Sequence, residues 1–77
     1  MTYSYSTVAH FNDSELTVST NDIYLAIDSA VKFLSDKEVA VDLVNGFTGE
    51  LLMYRDVDGD YYFTDEMRLM FAGFLRI

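Results

Sequence analysis

Val39-Ala40-Val41-Asp42-Leu43-Val44-Asn45-Gly46-Phe47-Thr48-Gly49 continues through Glu50-Leu51-Leu52-Met53-Tyr54-Arg55-Asp56-Val57-Asp58-Gly59-Asp60 to Tyr61-Tyr62-Phe63, and this stretch decides the fold. Val39, Val41 and Leu43 alternate with Ala40, Asp42 and Val44, the period-2 pattern of a strand rich in β-branched residues. Asn45 to Gly49 is a cluster of turn formers, and residues 50–55 form a second extended run. Asp58-Gly59 is a favoured type I′ hairpin signal, so a third strand is expected at residues 60–63. Connections this short join antiparallel neighbours, which predicts three consecutive antiparallel strands.

Working outward, Thr64 precedes Asp65 and Glu66 as a cap and predicts a final helix with Met67, Met70, Phe71, Phe74 and Leu75 on one side. Gly73 weakens its last turn. On the N-terminal side, Ile23, Ala26, Ile27, Ala30, Val31 and Leu34 recur at spacings of three and four, opposite Asp22, Asp28, Ser29, Lys32, Ser35 and Asp36. This is a helix, with Ser19, Thr20 and Asn21 as candidate caps and Asp22 in its first turn. Asp28 and Lys32 stand at i,i+4 and can pair. Before the helix, Tyr3, Tyr5, Thr7, Ala9 and Phe11 alternate with smaller or more polar residues, Asn12-Asp13-Ser14 turns the chain, and Leu16-Thr17-Val18 resumes the alternation. The order strand-strand-helix-strand-strand-strand-helix predicts an α+β two-layer sandwich, a mostly antiparallel sheet with both helices on one face. Without an internal repeat or composition break, residues 1–77 read as a single acidic domain.

A 77-residue domain hides only about 60% of the surface its unfolded chain exposes. A hydrophobic content of 51%, with six Phe and six Tyr, is more than so small a core readily covers, which points to a homodimer or an apolar contact face. Phe33, Phe47, Phe63, Phe71 and Phe74 are expected in the core with Met53, Met67 and Met70 as filler, while Tyr3, Tyr5 and Tyr24 suit a partner surface. There is no Cys, hence no disulfide, thiolate metal site or thiol nucleophile. The residues carry neither a signal-peptide pattern nor the roughly 20 apolar positions of a membrane span, and a cytoplasmic protein is expected.

Catalysis finds little support. His10 has no second His and no nucleophile motif to work with, and no GxGxxG, phosphate-loop or GxSxG pattern occurs. A chain this short is expected to offer little room for a cleft of about 300 Å³. Asp56-Val57-Asp58-Gly59-Asp60 resembles a calcium loop locally, but placing Gly59 at the sixth position puts Tyr54 at the first, and starting from Asp56 puts Met67 where a bidentate Glu belongs. No catalytic residue, metal or cofactor is therefore expected.

Charge is the outlying property: 13 Asp and Glu against 5 Lys and Arg give −8. Such a field repels nucleic acid and anionic membranes. It suits instead a basic partner, such as a nucleoid or DNA-processing protein. Asp56, Asp58, Asp60, Asp65 and Glu66 lie in one short run interleaved with Tyr61 and Tyr62, and Asp36, Glu38 and Asp42 can join them. On an extended chain alternate acids stand about 7 Å apart, a coarse copy of the DNA strand's charge every 3.4 Å or so. The expectation is a nucleic-acid mimic of viral or mobile-element type that blocks a basic DNA-binding surface. Two rival expectations are an adaptor that binds through exposed aromatics, and acidity that serves solubility alone.

Overall fold

The strand patterns close into one five-stranded sheet. The computed structural model describes residues 2–75, with side chains to residue 73. In chain order the elements are β1 (Tyr5–His10), β2 (Glu15–Thr20), α1 (Ile23–Leu34), β3 (Ala40–Asn45), β4 (Leu51–Arg55), β5 (Tyr61–Phe63) and α2 (Asp65–Leu75). The sheet order is β2-β1-β3-β4-β5 with every neighbouring pair antiparallel. The α+β sandwich is as the sequence predicts, and the strand order adds that α1 returns the chain to the free side of β1, joining the two hairpins through β1 and β3.

Register decides which side chains share a face. Thr7 stands opposite Leu43 and Val18, Ala9 opposite Val41 and Leu16, Leu43 opposite Met53, and Val41 opposite Arg55. Thr7, Ala9, Val41, Leu43, Met53 and Arg55 are buried, and this is the face the helices cover. From α1, Ala26, Ile27 and Ala30 face the sheet, and the two alanines let the helix approach closely enough for Thr7 Oγ1 to donate to the Ala26 carbonyl at 3.2 Å. From α2, Met67 and Phe71 are buried, and the Phe71 ring lies 5.3 Å from that of Phe63. Thr64 caps α2 as expected, its hydroxyl accepting from the Met67 amide. Phe74 and Leu75, expected on this same helix side, lie outside the described side chains.

Several local expectations are corrected. The α1 cap is Asp22, whose carboxylate accepts from the Tyr24 amide at 2.9 Å; β2 runs on through Ser19 and Thr20, and Asn21 is bonded to Ser4, so none of the three is free to cap. The 56–60 connection is not a two-residue type I′ turn. That turn needs positive φ at both central residues, and among the described residues only Gly49 and Gly59 have positive φ. Instead Asp56 and Asp60 pair through Asp56 N–H, Gly59 donates to the Asp56 carbonyl, and Gly59 at φ +91° closes a three-residue loop. Phe47 is 67% exposed rather than in the core. Asn45 Oδ1 accepts from the Phe47 and Thr48 amides and winds a tight turn with Phe47 on its rim. Gly46 in that turn lies so near the Tyr3 carbonyl that a Cβ would stand 1.8 Å from its oxygen.

Candidate functional site

The antiparallel register carries three connections to one end of the sheet. His10 stands opposite Glu15 and Ala40, and Val41 opposite Arg55. The turn at 11–14, the loop at 35–39 and the hairpin at 56–60 therefore share that end. Asp13, Glu15, Asp36, Glu38, Asp56, Asp58 and Asp60 are there, seven of the chain's thirteen acids. All are exposed except Asp56, which is half-buried. Against them stand Lys37, exposed, and Arg55, 4% exposed.

Two of these carboxylates also build the loops they sit on. Asp56 Oδ1 accepts from the Asp58 and Asp60 amides at 2.9 and 3.0 Å, and Asp36 Oδ1 accepts from Glu38 N–H at 3.0 Å. Amide bonds leave the negative charge in place, so they fix its position without cancelling it. They also bend the chain: Asp56, Asp58 and Asp60 are gathered around a hairpin tip, not spaced along an extended strand as the sequence suggests. Clefts of about 350 Å³ and about 450 Å³ lie between the loops, sharing Lys37 and Val57, with Asp58 and Tyr61 on one side and Phe11 and Glu38 on the other. The expectation of little room for a cleft is thus corrected, since three loops meeting at a sheet end leave furrows that no single segment reveals.

The other expected residues are dispersed. Asp65 and Glu66 occupy the first turn of α2, beyond the far end of β5, a three-residue strand about 10 Å long. Tyr61 packs at 5.6 Å against Phe63 on the helix side of the sheet, whereas Tyr62 stacks at 5.8 Å on Tyr54 on the opposite side. Asp42 also faces that open side, where its carboxylate meets His10 Nε2 at 2.8 Å while Glu15 meets Nδ1 at 2.8 Å. Only the imidazolium donates from both nitrogens, and the hydrogen bond to Asp42, with the negative charges of Asp42 and Glu15, raises the His10 pKa above 6.5 against a partial loss of hydration.

Sequence reading missed Asp13 and Glu15 as members of the acidic end, and the role of Arg55. The Arg55 guanidinium donates to the carbonyls of Leu34 at 2.9 Å, Asp36 and Val39, so it ties the C-terminal end of α1 and the 35–39 loop to β4. Of these oxygens, that of Leu34 belongs to the last turn of α1 and carries part of the negative end of the helix dipole. Among the described residues no group of His, Asp or Glu is arranged to hold a metal ion, and no helix is long and apolar enough to cross a membrane. The geometry defines a two-layer α+β domain with an acidic end built from three loops. No protein-family model, curated protein or solved structure matches the chain.

Proposed function

We propose that this domain is a non-catalytic cytoplasmic inhibitor that presents its acidic end to the basic groove of a DNA- or RNA-handling protein, in the manner of a viral or mobile-element antagonist. The observation that carries the reading is the convergence of seven of thirteen acids on one end of the sheet, where the cations in contact with water are the exposed Lys37 and the half-buried His10, which is paired with Glu15. Rigid turns support it: the Asp56 and Asp36 carboxylates, held by backbone amides, fix the loops that carry Asp58, Asp60 and Glu38, so less backbone entropy is lost on meeting Arg or Lys. The contact set narrows to Asp58, Asp60, Glu38 and Asp13, with Asp56 and Asp36 as scaffolding charges; Asp65, Glu66 and Asp42 lie away from it.

The test is capture of partners from a bacterial lysate by the tagged domain, with salt elution, DNA competition and identification by mass spectrometry. A basic nucleic-acid-binding protein, released by salt and displaced by DNA, is the expected result. Asp58→Asn with Asp60→Asn should weaken that capture and flatten its salt dependence, while leaving the Asp56 bonds that shape the loop. Capture that survives high salt, or that the double variant leaves unchanged, would overturn the mimic and favour an adaptor.

A further inference from the structure

Both helices pack on the face that holds Thr7, Leu43 and Met53. The reverse face carries Ser6, Val8, Val44, Tyr54 and Tyr62, and among the described elements none lies across it. Val8, Asp42, Tyr54 and Tyr62 stand in one row across β1, β3, β4 and β5, with Ser6, Val44 and Leu51 in the next. The charges that register places on this face are Glu15 on β2, His10 on β1 and Asp42 on the central β3, and both carboxylates are bonded to His10. The rest of the face is uncharged on a molecule of net charge −8.

We infer that this face binds a second copy of the chain. Charge selects the occupant. A basic partner finds no free carboxylate in the middle of this face, whereas two acidic copies repel each other least when they meet through it. Size bears on this: three strands of six residues, one of five and one of three, at about 3.3 Å per residue and about 4.8 Å apart, give a flat footprint of about 410 Å² per copy. Two copies then bury about 800 Å² as flat footprint, and the relief of the standing Val, Leu and Tyr side chains carries the total toward the roughly 1,000 Å² of a specific interface. Two sheets stacked about 10 Å apart make a sandwich with Val8, Val44, Tyr54 and Tyr62 inside, His10 and Glu15 at the rim, where polar groups belong, and Asp42 between Val8 and Tyr54 with its charge met by His10. The pairing leaves both acidic ends uncovered, so it stands whether or not they bind a basic groove.

Sedimentation equilibrium of the full chain from 5 to 500 µM, at roughly 0.05 and 0.5 M salt, tests the inference. A dimer that tightens at higher salt is expected, because salt screens the repulsion between copies and leaves apolar contact intact. Val44→Glu should weaken it by about a hundredfold, since an unpaired charge would be buried. Tyr62→Glu on the short edge strand β5 tests the same face at a position where folding depends little on the side chain, and Leu69→Glu, at a residue 79% exposed on α2, should leave the dimer intact. Circular dichroism identifies any variant that has lost its fold. A monomer throughout the range, or a dimer retained in both a folded Val44→Glu and a folded Tyr62→Glu variant, would overturn the assignment.

Discussion

Arg55 and His10 are cations on opposite faces of the same sheet, and their surroundings are inverted. Arg55, on the covered face, is buried and bonded to three neutral carbonyls, with no carboxylate in salt-bridge reach among the described residues. His10, on the open face, has a side chain 34% exposed and a carboxylate on each ring nitrogen. In an acidic chain the buried site takes the ion that never deprotonates and meets it with dipoles, while the wet site takes a titratable ring and meets it with charges. The difference teaches where folding energy resides: bonds shielded from water on the covered face, weak and tunable pairs on the open one.

The largest break in that contrast is Arg55→Ala. It would leave the Leu34, Asp36 and Val39 carbonyls without their charged donor and open a cavity beneath α1. Bonds to a charged donor contribute roughly 1.5 kcal/mol or more each, so a loss of about 3–5 kcal/mol is expected in urea unfolding. A domain of 77 residues has only about 4–12 kcal/mol to lose. Arg55→Lys should recover a minor part, because one ammonium cannot span three oxygens set for a planar fork. A loss below about 1 kcal/mol for Arg55→Ala would mean that the 35–39 loop is held by other contacts.

A finer test pairs neighbouring hydroxyls. Thr7 donates in the covered layer, and Ser6, one residue earlier, meets Ser19 Oγ at 3.1 Å in an exposed pair. Thr7→Val keeps the shape and should destabilise by about 1 kcal/mol, while Ser6→Val should stay within about 0.5 kcal/mol of wild type. Equal losses in chemical denaturation would remove the distinction between the faces.

Much of this was legible in the sequence, for reasons that particular residues make plain. The spacing of Ile23, Ala26, Ile27 and Ala30 gives α1 because a helix facing a sheet needs one apolar stripe. Alternation around Val41 and Leu43 gives β3 because a half-covered sheet needs every second side chain. Local patterns say nothing of which strands become neighbours, however. The His10–Asp42 pair depends on β3 settling beside β1, and the acidic end depends on three loops meeting, so both appear only once the strand order is known. Phe47 misled because its hydrophobicity is real while its position on a turn wound by Asn45 keeps it out of the core. Arg55 gave no signal of its role: nothing in the residues around it shows that α1 ends beside β4, where its guanidinium meets the Leu34 carbonyl.

The smallest expected effect is the one that separates the two cations by pH. Folding raises the His10 pKa above 6.5, chiefly through the Asp42 bond. A group whose folded pKa is raised contributes stability that is fully present below the unfolded value, here about 6.5, and that fades as pH climbs through the folded value. Arg55 stays protonated throughout and adds no slope. The general repulsion of a −8 chain also eases on acidification, so the measurement is the stability difference between wild type and His10→Gln at pH 6 and at pH 9. The difference should be greater at pH 6, should remain below about 1 kcal/mol because pairs this exposed are screened, and should shrink with added salt. A difference that does not change with pH would reduce the triad to ordinary packing and leave the two faces unlike only in what covers them.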